Sequence, residues 1–479
     1  MTKQKILILN SVGKDENNNF FIHFPSRWTA LVKEHKAFTF YPYELAYLST
    51  LLKRETEHEV KMYDGNLLNL NWQEYFDLIK DDKPDFAIFE TSTAVYNEDL
   101  KLAKKLKQTF GTKIIFTGQH PTAMPEQTLQ DGIDFVCIGE FEDTLLDFFT
   151  NGLNPNIAGI FPHGYRPPLN INKLPFPEDE DIKRNQYYDI GGCDFKEIEF
   201  FASRGCPMKC NYCVCGNLYY DPKTPNYRVR EVKSIIDEIK QLKEKYPEME
   251  GIFYDEEYHN VNKQFIMDLC QAKIDNGLDK LKYNAMCGYW TMDEEMLRKM
   301  KQAGYYKLRI GIETVSEESL KAIRKNINVT NLKTILKLAK EIGIQMYGTF
   351  TFGSLGSNDT EDKKTIEFIK ECLKEDLLAD YQISLCTPQP GTPFYDYLKQ
   401  NNLFLTNDFS KFDGGTAVYS YPNYSKEQIE ANCQKATQIY IRSQVLSPSI
   451  FKIIKRNIEK HGLGHTIKYG FITLKNIIK

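Results

Sequence analysis

Short apolar runs alternate with amphipathic stretches along nearly all of this chain, and that alternation decides the fold class before any single residue does. In the first third, KILILN (Lys5–Asn10), EVKMYD (Glu59–Asp64), DFAIFET (Asp85–Thr91), KIIFTG (Lys113–Gly118) and DFVCIG (Asp134–Gly139) read as strands buried on both faces. Between them YELAYLSTLLKRE, WQEYFDLIK, EDLKLAKKLKQ and EDTLLDFF repeat with helical spacing. Strand alternating with helix predicts an α/β fold, here an open, doubly wound, Rossmann-like sheet. Ligands of such sheets bind outside the carboxyl ends of the strands. The loops Ser11–Gly13, Thr91–Val95 and Gly118–Thr122 are therefore the expected lining.

A Pro-rich, weakly periodic segment from Gly152 to Glu180 reads as a linker wrapping between domains. From Phe200 a second alternating series begins. Its strands are EFFASRG, GIFYDE (Gly251–Glu256), KYNAMC (Lys282–Cys287), KLRIGIE (Lys307–Glu313), QMYGTFTF (Gln345–Phe352) and YQISLCT (Tyr381–Thr387). Such strand–helix units predict a partial parallel barrel with its working residues at the C-terminal strand ends. The expected division is 1–151 for the first sheet, 152–193 for the linker, 194–404 for the barrel and 405–479 for a mostly helical C-terminal region. The tail carries Lys452, Lys455, Arg456 and Lys460 beside Ile and Phe. It reads as a helical pair packed on the barrel or as a basic surface for a membrane.

Composition closes off several classes. Of 479 residues, 42% are hydrophobic and 26% charged, an ordinary globular balance, and a net charge of -4 gives no reason to expect a nucleic-acid partner. No apolar run approaches the roughly 20 residues that span a bilayer. The start, MTKQKILILNSVG, lacks the pattern of a secretory signal, so a cytoplasmic protein with reduced thiols is expected. An odd count of eleven cysteines also opposes a disulfide framework.

Four of those cysteines lie in FFASRGCPMKCNYCVCG (Phe200–Gly216), and three of them, Cys206, Cys210 and Cys213, stand as CxxxCxxC just past the first barrel strand. Three thiolates can hold a [4Fe–4S] cluster at three irons and leave the fourth open. A structural zinc wants a fourth ligand. Cys215 is too close to Cys213 to supply it comfortably, and no histidine lies nearby. Tyr212, just before the last thiol, is placed to cover a cluster or an adenine ring. Cys287 and Cys386 end the third and sixth strands, where they either face the reaction or, as such residues more often do, fill the core.

CxxxCxΦC after a first barrel strand resembles the radical S-adenosylmethionine (SAM) superfamily, over about Phe200 to Phe404. In that family the open iron chelates the amino and carboxylate groups of SAM and reduces its sulfonium to a 5′-deoxyadenosyl radical. The resemblance implies that Asp255 and Glu256 in YDEE take the SAM amino group, although the family's glycine-rich form of that element is absent here. In RIGIET it implies Arg309 on the SAM carboxylate and Glu313 on a ribose hydroxyl, groups of matching charge and donors. GTFTFG and SLCTPQPGT resemble the fifth- and sixth-strand elements of one branch, whose members modify hopanoids, porphyrins or aminosugars. That branch carries an N-terminal cobalamin-binding domain, and FYPYELAYLSTLLKRE, ETSTAVYNEDLKLAKKLK and TGQHPTAMPEQTLQDGIDFVCIGEFEDTLLDFF resemble it. The resemblance implies tail contacts from Ser92, Thr93, Gly118, Gln119, His120 and Gly139. The DxHxxG motif is missing, NSVGKDENNN standing in its place, so His120 is read as a lining residue and not as a cobalt ligand.

The function so implied is a radical SAM enzyme that removes hydrogen from its substrate, acting as a cobalamin-dependent C-methyltransferase. The alternative is dehydration, cyclisation or carbon–carbon bond formation on a retained cobalamin-binding fold, and a third reading is a non-catalytic sensor. The expected cofactors are the cluster, SAM and cobalamin. The expected partners are a small-molecule or lipid-like substrate and a flavodoxin- or ferredoxin-type reductant.

Overall fold

The computed structural model describes residues 2–33, 36–188, 193, 195–325, 327–446, 454, 455 and 458. The first sheet holds β1 (Lys5–Asn10), then, beyond a hairpin of β2 (Phe20–Phe24) and β3 (Trp28–Val32), the strands β4 (Glu59–Asp64), β5 (Phe86–Glu90), β6 (Lys113–Thr117) and β7 (Phe135–Val136). Its order is β4-β1-β5-β6-β7, all parallel. The apolar runs are continuous because both faces are covered. Ile6, Ile8, Ile88 and Ile115 pack with the helices Tyr43–Glu55 and Glu142–Thr150. Leu7, Leu9, Phe89 and Phe116 pack with Trp72–Ile79 and Tyr96–Phe110 on the other side.

The strand order reverses between β1 and β5, the place where an open α/β sheet normally receives a ligand. Here the β2–β3 hairpin, which the sequence pattern did not suggest, lies over it. Buried His23 sits with Nε2 2.6 Å from Glu90 Oε2 and Nδ1 2.7 Å from Thr29 Oγ1. The Ser26 amide donates to Glu90 Oε1 at 2.7 Å.

The second sheet contains β8 (Glu197–Phe200), β11 (Gly251–Tyr254), β12 (Lys282–Cys287), β13 (Tyr305–Glu313), β14 (Gln345–Phe352) and β15 (Asp380–Leu385), parallel and in sequential order. Along the chain between β8 and β11, β9 (Ser203–Arg204) and β10 (Arg228–Val229) form a separate short ribbon. The sheet is an open partial barrel with β8 and β15 as its edges. Alternate residues such as Leu308, Ile310, Phe350 and Phe352 face a helical layer and form the main core, leaving the other set for the interior. Cys287 and Cys386 are both buried in the main core, Cys386 within electrostatic reach of Glu313.

No helix among the described residues is long and apolar enough to cross a membrane. Apart from Ile454, Lys455 and Ile458, both readings of the basic tail fall outside the described residues.

Removing the partner of a buried charged acceptor costs about 2–3 kcal/mol. His23→Ala should therefore lower stability by about that amount, read as a drop in the urea midpoint at unchanged slope.

Candidate active site

The cysteine loop leaves β8 through β9 and turns at Gly205, whose φ of 88° and closeness to Asn226 O leave no room for a side chain. It then has little regular structure of its own, so other groups satisfy its backbone. Asn217 Nδ2 donates to Cys210 O and Cys213 O, each at 2.7 Å, and Lys209 Nζ donates to Gly216 O at 2.6 Å. The loop is tied to the ends of three further strands. Gly205 N donates to Glu257 Oε2 after β11 at 3.2 Å. Asn211 N and Nδ2 donate to Ile323 O and Ala322 O after β13, each at 3.0 Å. Asn211 O accepts from Phe394 N after β15 at 3.0 Å.

Cys210 is buried and Cys206 and Cys213 are half-buried. Burial pushes the Cys206 thiol up to about 12 and raises Cys210. Among the described residues no three His, Cys, Asp or Glu side chains converge to hold a single metal ion. A cubane spreads its thiolates over separate corners, and three thiols on one anchored loop suit it. Cys215 lies against Cys213, whose thiol with burial raises its own, and Arg27 Nη1 is 3.4 Å from its sulfur.

Around this loop the acidic strand ends divide. Glu256 has both oxygens taken, Oε2 by Ala202 N at 2.9 Å and Oε1 by His259 Nδ1 at 2.5 Å. His259 Nε2 lies 2.6 Å from the Tyr305 hydroxyl, which also accepts from Lys273 Nζ at 3.0 Å. Asp255 keeps Oδ2 without a partner, and burial, outweighing Arg309 and Arg27, pushes its carboxyl up to about 7. The Arg309 guanidinium lies between the rings of Phe253 and Tyr347, 4.4 and 4.7 Å from their centres.

Glu313 adopts a left-handed φ of 63° beside a register shift between β13 and β14. It is held there by Lys325 Nζ, which is 2.8 Å from both Glu313 Oε1 and Gly311 O. A non-glycine residue so placed costs about 1–3 kcal/mol unless its surroundings enforce it. Tyr212 packs against the barrel core, and burial, with Glu313 adding to it, raises its phenol. Lys325, Arg27 and Glu257 were not singled out by sequence. Lys325 follows a helix as one of several lysines, and nothing in its neighbourhood along the chain marks it.

The first sheet brings its candidate residues together at the seam with the barrel. Thr93 N and Oγ1 donate to Gln119 Oε1 at 3.0 and 2.7 Å, and Gln119 Nε2 reaches Pro390 O at 3.3 Å. His120 Nδ1 is 3.2 Å from Thr93 Oγ1, with its ring between Tyr96 and Phe409. Burial pushes His120 down to about 3, so it is neutral, and its Nε2 has no partner. Thr117 Oγ1 is likewise unpartnered. Ser92 Oγ is taken by Thr29 of the hairpin. Gly118 (φ 98°) lies against Glu90 and Thr91, and Gly139 (φ 77°) against Tyr219 and Tyr165. Buried, unpartnered polar atoms at the ends of β6 suit the hydrogen-bonding nucleotide tail of cobalamin. Ala123, just beyond them, packs on the group that includes Cys206, Cys213 and Leu218.

The Radical SAM superfamily model matches residues 201–369 and the B12 binding domain model residues 31–149. An uncharacterized methyltransferase of Pyrococcus horikoshii is 30% identical over 443 residues, 87% of this chain and 92% of the relative. Hopanoid C-3 methylase of Methylococcus capsulatus is 25% identical over 74% of this chain and 69% of its own. Among solved structures, the cobalamin-dependent SAM radical enzyme OxsB with aqua-cobalamin and SAM bound superposes with a TM-score of 0.70 at 15% identity, covering 96% of this chain and 71% of that one. The radical SAM methyltransferase TsrM of Kitasatospora setae gives 0.62 at 17%, covering 83% and 76%. At these identities the likeness is one of fold.

Cys210→Ala should leave the anaerobically reconstituted protein without the cluster's iron, sulfide and visible absorption. Cys215→Ala should retain all three, because the CxxxCxxC thiols Cys206, Cys210 and Cys213 are left in place.

Proposed function

The chain belongs to the radical SAM enzymes that carry a cobalamin-binding domain, and from that premise we propose that it transfers a methyl group to an unactivated carbon of a small-molecule substrate. The observation that carries this reading is the seam itself. Ala123, at the end of the short helix Gln119–Ala123 after β6, packs with Cys206 and Cys213 against the group of Val214, Leu218 and Tyr219. In this reading the two cofactor sites would be neighbours, as methyl transfer to a carbon radical requires. The boundaries at 151, 193 and 404 belong to the same reading.

When bound, the family's cluster, SAM and cobalamin supply the radical and the transferable methyl. The protein's part is to hold and orient. Cys206, Cys210 and Cys213 would ligate the cluster. Asp255, with its open Oδ2, would meet the SAM amino group, and Glu256 would support it from behind through Ala202 and His259. Arg309 would face the SAM carboxylate, Glu313 a ribose hydroxyl, and Tyr212 would cover the cofactor. Thr93, Gly118, Gln119, His120 and Gly139 would line the cobalamin tail, with Ser92 holding the hairpin beside them.

All eleven cysteines are free, which supports a reducing cytoplasm and a flavodoxin- or ferredoxin-type electron donor.

Corrinoid content after anaerobic purification from cobalamin-supplied cells tests the reading. About one corrinoid per chain is expected, together with labelled methyl passing from SAM to substrate. Near-zero corrinoid with an intact cluster would overturn methyl transfer and direct the search to dehydration, cyclisation or coupling.

A further inference from the structure

The β2–β3 hairpin ends in a three-residue tip, residues 25–27, that reaches into the seam beside the cysteine loop. Its middle residue, Ser26, holds a left-handed φ of 56°, a conformation that glycine usually supplies. Both of its backbone groups are engaged. Ser26 N donates to Glu90 Oε1, at the end of β5, at 2.7 Å, and Ser26 O accepts from the hydroxyl of Tyr219, just beyond the cluster cysteines. Arg27 N closes the turn by donating to Phe24 O at 3.1 Å. The tip is pinned from both sides of the seam, and what it presents between them is Arg27, the hairpin's only lysine or arginine.

Arg27 is 8% exposed, and its guanidinium group is held at three points. Nη2 lies 3.2 Å from Glu257 Oε1, Nη1 lies 3.4 Å from Cys215 Sγ, and the carbon between them is 4.7 Å from the centre of the Phe24 ring. Glu44 and Asp255 are also within electrostatic reach, but among the described residues Glu257 alone is at ion-pair distance. That partner matters because its other oxygen, Oε2, accepts from Gly205 N at 3.2 Å, one residue before the first cluster cysteine. Without Arg27, Glu257 would be a lone charge in a nearly dry seam, free to turn from the amide or to take up a proton.

We propose that Arg27 is a positioning residue for the radical SAM reaction: reaching across from the first domain, it holds Glu257 on the Gly205 amide and so sets the cysteine loop in the shape that binds SAM. SAM then binds well only when the hairpin is seated, which ties radical formation to the docking of the two domains. The role rests on the radical SAM assignment above and not on methyl transfer.

Arg27→Met, Arg27→Lys, Glu257→Gln and the double variant Arg27→Met/Glu257→Gln would be reconstituted anaerobically with iron and sulfide, and SAM binding followed by the change it makes in the electron paramagnetic resonance signal of the reduced cluster. Arg27→Met is expected to keep its iron and sulfide, to broaden that signal and to raise the SAM Kd at least tenfold, and Arg27→Lys to stay within threefold of the unsubstituted protein. A glutamine at 257 still accepts from Gly205 N and carries no charge to balance, so the double variant should bind SAM no worse than Glu257→Gln alone. An unchanged SAM Kd in Arg27→Met would overturn the proposal, as would an Arg27→Lys no better than Arg27→Met. Where Arg27→Met does not fold, the double variant, which leaves no unpaired charge, decides: a Kd equal to that of Glu257→Gln supports the role, and one at least tenfold higher overturns it. Unsubstituted protein that holds its cluster but shows no SAM-dependent change in the signal would overturn the radical SAM assignment itself, and this role with it.

Discussion

The site depends on how an irregular loop of thiols is kept in one shape. A loop without a ladder leaves backbone carbonyls exposed to a low-dielectric surround, where each unmade bond costs about 1–3 kcal/mol. Here one amide side chain, Asn217, bridges the carbonyls of Cys210 and Cys213, and another, Asn211, reaches the Ala322 carbonyl beyond β13. Because Asn211 also takes the amide of Phe394, the loop is clamped between the fourth and sixth strands of the barrel. The thiols are therefore positioned by the barrel as a whole and not by their own sequence.

The same logic extends across the seam, where charged contacts stand beside apolar ones such as Tyr43 on Phe201. Arg204 with Glu142, Arg228 with Glu140, and Arg27 with Glu257 all join the first sheet or its hairpin to the barrel side. Deeper, Glu238 is shared by Arg184 and Arg230 at 2.5 and 2.6 Å. Buried pairs of this kind add little net stability, since desolvation offsets attraction, but losing one partner is expensive. Their effect is to forbid other relative placements of the two sheets. A greasy seam could slide; this one has a single register.

That distinction explains what the sequence made legible. Strands buried on both faces announce themselves as apolar runs, and KILILN, KYNAMC and QMYGTFTF match β1, β12 and β14 residue for residue. The cysteine spacing was equally plain, because its chemistry is local. The hairpin was not: FFIHF has no polar alternation, and the bonds that give it a place, from His23 and Ser26 to Glu90, span more than sixty positions. Lys325 and Arg27 were hidden for the same reason, since their partners are set by topology. Glu256 was legible as a strand-end acid, yet only the fold shows that both its oxygens are occupied and that Asp255 keeps one open.

The chain behind Glu256 shows why a barrel would bury a lysine. Lys273 is fully buried, with Nζ 3.6–4.5 Å from the ring centres of Tyr254, Tyr283 and Tyr305, and burial pushes it down to about 7. If it donates to Tyr305, the phenol can donate to His259 Nε2, and His259 can donate from Nδ1 to Glu256. Every member of the run then has a partner. The run begins on the helix Lys263–Asp275, passes through the start of β13 and the loop after β11, and ends at Ala202 N, four residues before the first cluster cysteine. An apolar core could match its stability, but it would not aim the loop. By fixing Glu256 from behind, the run fixes its neighbours, and Glu257 is held within electrostatic reach of Cys206.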